Sequence, residues 1–189
     1  MKRSWRHIIG YTVAVGISFY AGMVTTESLR IRRLSEEFRR PLKYLGKLAP
    51  HLSSSTVDSK PWDLGREAGK VVVIEAWATW CGPCTSSIPR FQHLNDRFHG
   101  RSDFAFIGLS LDGDASIVKK FCADHAMTWA QLVEPKKVWD NSVAQAFEVQ
   151  SVPFTCVIDK KGVVRSYDDK TLPEDGGGLE AIVQKLLSE

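Results

Sequence analysis

Hydrophobic positions change period three times along the chain. From Ile8 to Thr26 there is no charged residue, and Ile8, Ile9, Val13, Val15, Ile17, Phe19 and Val24 alternate with Gly10, Gly16 and Gly22. Nineteen residues rising about 1.5 Å each nearly match a hydrocarbon core of about 30 Å, so this stretch predicts a transmembrane helix. Beyond it, Ile31, Leu34, Phe38, Leu42, Leu45, Leu48 and Leu52 fall at steps of three and four, with arginines and glutamates between them. That spacing predicts one helical stripe, kinked or broken at Pro41. Ser53-Ser54-Ser55-Thr56 reads by composition as a short flexible linker.

From residue 56 onward the pattern is that of a folded domain. Val71-Val72-Val73-Ile74 is a β-branched run without interruption, the signature of a strand buried on both faces. Ile88, Phe91, Leu94 and Phe98 then recur at helical spacing. Phe104 to Leu111 predicts a second strand and Ala115 to His125 a second helix. Phe154 to Ile158 and Val163-Val164 predict strands joined across Asp159-Lys160-Lys161-Gly162, and Leu179 to Leu187 a closing helix. The order β, α, β, α, β, β, α gives an α/β fold with a mixed central sheet flanked by helices. The expected organisation is an anchor over residues 1–28, a basic amphipathic stalk and linker over 29–55, and the domain over 56–189.

Charge sharpens that division. The net charge of +3 conceals an arm, residues 1–52, with ten Lys/Arg against three Asp/Glu, while residues 53–189 carry fifteen against nineteen. A nucleic-acid partner is not expected, because basic charge is lacking on the folded part. With 43% hydrophobic and 25% charged residues, general disorder is excluded. A cleaved signal peptide would need small residues at −3 and −1, but cleavage near Ala21 or Gly22 puts Phe19 or Tyr20 at −3. A mitochondrial presequence would be amphipathic, so the stretch reads as an uncleaved anchor. The stalk has three readings: packing on its own domain, lying on anionic lipid, or oligomerising as a short coil.

The chemistry lies where the buried strand turns into a helix. Trp80-Cys81-Gly82-Pro83-Cys84 follows Glu75-Ala76-Trp77-Ala78-Thr79 directly. A helix N-terminus offers unpaired N–H groups and about half a positive charge, which stabilises a thiolate at Cys81. Pro83 suits an early helical position. Two intervening residues let one turn bring both sulfurs to bonding distance. A lowered-pKa nucleophile beside a resolving thiol is the layout for thiol–disulfide exchange. The rival for Cys-x-x-Cys is half of a structural zinc site, but the remaining cysteines, Cys122 and Cys156, are far apart in sequence and form no second Cys-x-x-Cys.

These residues resemble the thioredoxin superfamily. The longer run Ala76-Trp77-Ala78-Thr79-Trp80-Cys81-Gly82-Pro83-Cys84 is similar to its TlpA/ResA branch of membrane-anchored, extracytoplasmic thiol–disulfide oxidoreductases. Ile107-Gly108-Leu109-Ser110-Leu111-Asp112, Ala146 to Pro153, and Val157 to Gly162 extend the resemblance over residues 60–189. It implies a thioredoxin-like fold in which Cys81 attacks a substrate disulfide and Cys84 resolves the intermediate. It further implies that Pro153 is a cis-proline facing the pair, that Val152 offers its backbone to an extended substrate, and that Trp80 shields the site. Glu75, six residues before Cys81, falls where the superfamily keeps a buried carboxylate able to take the resolving thiol's proton. Two departures stand out. Relatives carry a fuller hairpin before the first core strand, whereas only Pro61 to Lys70 separates linker and strand here. Some also place a glutamate just after the pair, where this chain has Thr85-Ser86-Ser87.

The expected function is a membrane-anchored reductase of client proteins bearing a disulfide or cysteine pair, for example in cytochrome c or copper-site maturation. Gly-Pro between the cysteines matches thioredoxin itself, whose potential of about −270 mV favours reduction. No cofactor is expected, and an upstream electron donor is needed. The resemblance places the domain on the extracytoplasmic, periplasmic side. The basic residues following the apolar stretch, counted by the positive-inside rule, favour the cytoplasm. A peroxidase would want Thr or Ser at position 78 and Pro at 74, where Ala78 and Ile74 stand. A copper-binding or redox-inactive interaction module is the alternative, lacking a nearby His or Met ligand. Cys122 and Cys156 read as inert core thiols.

Overall fold

A computed structural model describes Ser28 and residues 43–134, 142–167 and 178–189. The predicted anchor and the stalk stripe from Ile31 to Leu42 lie outside the described residues. The chain divides into two units, Met1–Lys43 and Tyr44–Glu189, and the second holds every element below.

Its centre is a five-stranded sheet built around β3 (Val71–Trp77). Parallel β4 (Phe104–Ser110) and then β5 (Ala130–Leu132) lie to one side, and antiparallel β6 (Phe154–Ile158) and then β7 (Val164–Tyr167) to the other. All seven residues of β3 are buried, as its β-branched run predicts for a strand covered on both faces. The helices are α1 (Gly82–Phe98), α2 (Ala115–Asp124), the short α3 (Ser142–Ala146) and α4 (Gly178–Ser188). A mixed sheet flanked by helices is the expected fold. The short elements β5 and α3 have no signature in the hydrophobic pattern, because three and five residues show no resolvable period.

Alternation along β3 sends Val71, Val73, Glu75 and Trp77 to one face and Val72, Ile74 and Ala76 to the other. The first face lies under α1 and α2. Phe91 meets Phe106 at 5.6 Å between ring centroids, Phe98 meets Phe104 at 5.4 Å, and Phe121 meets Trp77 at 5.3 Å. Glu180 bridges to His93 and Arg97, holding α4 beside α1. The second face is covered by Phe147, just after α3, which packs against Phe154 and Tyr167.

The segment before β3 corrects two expectations. Ser53–Ser55 is not a flexible linker but a strand, β1, paired antiparallel with β2 (Pro61–Asp63). A hairpin before β3 is therefore present, one of its strands made of serines whose backbone does the pairing. Nor are residues 43–52 helical. Leu45 and Leu48 are exposed, while Leu52, at 2% exposure, is in the core. Gly46 has φ +75°, a conformation that ends any helix there.

The physical reason is the sheet's need for edge partners. Gly46 N–H donates to Val164 O at 2.8 Å, Val164 N–H to Lys47 O at 2.9 Å, and Ala49 N–H to Gly162 O at 2.8 Å. At the opposite edge Val57 N–H donates to Gln131 O at 2.9 Å, and Val133 N–H to Ser55 O at 3.1 Å. One N-terminal segment thus covers the outer edges of both β7 and β5, groups that would otherwise invite pairing with another chain. Leu52 joins those two contacts. Leu52→Ala is expected to destabilise the full chain by about 2–5 kcal/mol, read as a lower urea midpoint, whereas Leu48→Ala should change it by less than about 0.5 kcal/mol.

Candidate functional site

Three chain crossings meet at one end of the sheet. β3 ends at Trp77 and runs through Ala78-Thr79-Trp80 to Cys81; β4 ends at Ser110 and continues to Asp112. Phe154 stands opposite Ala76 in antiparallel register, so Val152-Pro153 lies at the same end. Ligands gather at the carboxyl ends of parallel strands because loops and helix N-termini converge there.

Cys81 is the N-cap of the 17-residue α1, with Gly82 and Pro83 in its first turn. Cys84 N–H donates to Cys81 Sγ at 3.2 Å. A sulfur in that position receives both a backbone donor and the positive end of the helix, each favouring the thiolate over the thiol. Cys81 and Cys84 are joined as a disulfide, with Cα atoms 5.3 Å apart. Cys84 is the deeper, at 1% exposure against 5%.

The remaining residues singled out in the sequence fall as follows. Trp80, immediately before Cys81, is 57% exposed, the most open aromatic beside the pair. The Val152–Pro153 peptide bond is cis, and both residues are half-buried. Glu75 sits in the middle of β3 at 1% exposure, on the face beneath α1. An otherwise apolar strand with a carboxyl at its centre is the setting in which burial disfavours the ionised form.

Two contacts that the sequence did not reveal hold the loop carrying Cys81. Asp112, 9% exposed, accepts from Thr79 N–H at 2.9 Å and from Thr79 Oγ1 at 2.7 Å. Ser110 Oγ donates to the same carboxylate at 2.8 Å and accepts from Asp112 N–H at 3.0 Å. Leu111 N–H closes the junction by donating to Trp77 O at 2.9 Å. A signal was available: an acid ending an apolar strand, with a threonine in the loop that must be fixed. Further along, Trp77 Nε1 donates to Gln131 Oε1 at 2.9 Å, a pairing across 54 residues with no local signature.

Cys122 and Cys156 are free and buried, and they form no disulfide. Burial pushes the Cys122 thiol up to about 11, with the charges of Glu75 and Asp112 adding to the effect. Burial pushes Cys156 higher still. Thiolate is the reactive form, so both are inert at neutral pH. In the reduced full chain at pH 8, iodoacetamide is expected to modify Cys81 first and to leave Cys122 and Cys156 unlabelled until the protein is denatured, as located by peptide mass.

The Redoxin family profile matches residues 45–183. The thiol-disulfide oxidoreductase ResA of Bacillus thuringiensis is 25% identical over 151 residues, covering 80% of this chain and 77% of its own. The thioredoxin-like protein YneN of Bacillus subtilis is 26% identical over 121 residues, covering 64% and 68%. Among solved structures, a thioredoxin-family thiol:disulfide interchange protein from Chlorobium tepidum is 26% identical with a TM-score of 0.62, covering 74% of this chain and 95% of that one. A domain from Bacteroides thetaiotaomicron, 17% identical, shares the fold at a TM-score of 0.67 over 76% and 96%. With a cysteine pair on the first turn of the helix that follows the central strand, the chain belongs to the Redoxin family, as a TlpA/ResA-like thiol–disulfide oxidoreductase of the thioredoxin superfamily.

Proposed function

We propose that this oxidoreductase works in the reducing direction, on client proteins at the extracytoplasmic face of a membrane to which residues 1–28 anchor it. The observation that carries the reading is the placement of Cys81: an N-cap sulfur, donated to by Cys84 N–H, at the mouth of a rigid helix. That setting favours a thiolate nucleophile.

In the reduced enzyme the Cys81 thiolate attacks one sulfur of a client disulfide. A Cys81–client bond forms, the client S–S bond breaks, and the second client sulfur leaves as thiolate. Cys84 then passes its proton to the Glu75 carboxylate and attacks Cys81 Sγ, releasing the first client thiolate. The client has gained two electrons, and the enzyme is left as the Cys81–Cys84 disulfide. An upstream dithiol donor must supply the next pair of electrons.

Trp80 offers an exposed aromatic surface against the bound client, and the Val152 backbone beside Pro153 offers hydrogen bonds to an extended segment. The apolar stretch from Ile8 to Thr26 supports anchoring, and similarity to ResA supports the extracytoplasmic side. Cytochrome c or copper-site precursors are the clients proposed, since each must present reduced cysteines to its cofactor.

Cys84→Ser in the full chain is expected to accumulate mixed disulfides through Cys81, visible on non-reducing gels and lost in the Cys81→Ser variant. Equilibration of the wild-type pair against defined thiol buffers should give a potential near thioredoxin's, about −270 mV. A value near the about −120 mV of a strong oxidant would mean that the enzyme introduces disulfides instead.

A further inference from the structure

One row across the sheet departs from its apolar surroundings. Gln131 of β5 stands opposite Gly108 of β4, Gly108 opposite Glu75 of β3, and Glu75 opposite Thr155 of β6. Residues in register project from the same face, so an amide, a bare glycine, a carboxyl and a hydroxyl lie side by side under α1 and α2. Gln131 is 4% exposed, and Glu75 and Thr155 are each 1% exposed.

Gly108 is what lets the row close up. A Cβ there would lie 2.1 Å from Gln131 Oε1 and 2.7 Å from Gln131 Nε2. The Gln131 amide therefore occupies the space that a side chain at 108 would fill, one strand spacing, about 4.8 Å, from the Glu75 position. Trp77 Nε1 takes Oε1, which fixes the orientation of the amide and leaves Nε2 as a donor. Neither Gln131 Nε2 nor Thr155 Oγ1 has a hydrogen-bond partner among the described residues. A buried polar group left without a partner costs about 1–3 kcal/mol. By register Glu75 stands between the strand positions of Gly108, over which the Gln131 amide lies, and Thr155, and neither donor bonds to its carboxyl directly.

Resting on the reading of Glu75 as proton acceptor, we propose that Gln131 and Thr155 are its positioning residues: from either side of the row, each through one bridging water, they donate to the ionised carboxylate and so lower the pH at which it can take the Cys84 proton. A hydrogen bond to the charged form of an acid favours that form.

The titratable groups around Glu75 on this face are Cys84 of α1, Cys122 of α2 and Asp112 after β4. The strand β6 contributes none, and the charged residues of α1, α2 and α4 lie on the solvent sides of those helices. Of these groups only Cys84 changes its bonding in the exchange.

The test uses the full-length reduced protein and an aromatic disulfide, 5,5′-dithiobis(2-nitrobenzoate). Its first thiolate is released when Cys81 attacks, and its second when Cys84 resolves the mixed disulfide, so the second absorbance phase reports resolution. In the wild type that phase should accelerate with pH through a limb that Glu75→Gln abolishes. Gln131→Leu, Gly108→Ala and Thr155→Val should each shift the limb upward by about one pH unit, a roughly tenfold slower resolution on its acid side. Gly108→Ala keeps the glutamine but displaces its amide. Gln131→Leu also strips Trp77 of its acceptor; should that variant fail to fold, Thr155→Val, a hydroxyl-for-methyl exchange, carries the test. A limb abolished by Glu75→Gln yet unmoved in the other three overturns the positioning roles and leaves Glu75 as the base. A limb that survives Glu75→Gln removes the base and this proposal together.

Discussion

Everything near the reactive cysteines depends on the hydrogen bonding of one strand. β3 is paired along its length with β4 on one side and β6 on the other, and no residue in it is exposed. A strand so fixed cannot slip by one residue without turning its apolar side chains out of the core. Its last residue, Trp77, therefore leaves the sheet at a set place, and Cys81, four residues later, must cap a helix. The Asp112 carboxylate, itself at the end of β4, holds Thr79 by two hydrogen bonds. Cys81 is thus positioned by the register of the sheet, relayed through one short clamped loop, which explains how an N-cap sulfur can be presented reproducibly without a rigid loop sequence around it.

The same logic separates what the sequence discloses from what it conceals. Cys81, Gly82, Pro83 and Cys84 are adjacent, and the strand before them and the helix after them are long and periodic, so local physics suffices to read the site. Thr79–Asp112 and Trp77–Gln131 span 33 and 54 residues, and their meeting depends on which strands become neighbours. The segment from Gly46 to Val57 was hidden for a different reason. Its role is to give backbone N–H and C=O groups to two sheet edges, which asks little of its side chains apart from the buried Leu52. Serines serve as well as valines there, so composition suggested a linker. Leucines at helical spacing suggested a helix, although Gly46 at φ +75° cannot continue one.

Four cysteines on one scaffold show how far environment decides chemistry. Cys156 is on β6 opposite Ile74, buried entirely, and Cys122 on α2 sits near two carboxyls that oppose its ionisation. Neither has a helix N-terminus to stabilise a thiolate. Cys81 has one, together with a donor from Cys84 N–H. Because nucleophilicity follows thiolate population, exchange is confined to one pair even though the fold buries two further thiols.

The polar row explains a feature that stability alone would remove. A Val or Ile at position 75 would contribute about 1.5–3 kcal/mol of burial and would leave no carboxyl to be desolvated. Gln131 and Thr155 could likewise be apolar, and Gly108 could carry a side chain that fills the space now taken by an amide. Four positions in register all depart from the apolar choice, and each departure makes sense only beside the others: the glycine admits the amide, while the amide and the hydroxyl flank the acid. A lone buried glutamate would be a defect of the core. Set by register beside an amide and a hydroxyl, it is on the reading proposed above a carboxyl whose protonation the sheet itself regulates, and conflicts with local stability of this kind are expected where a fold carries its function.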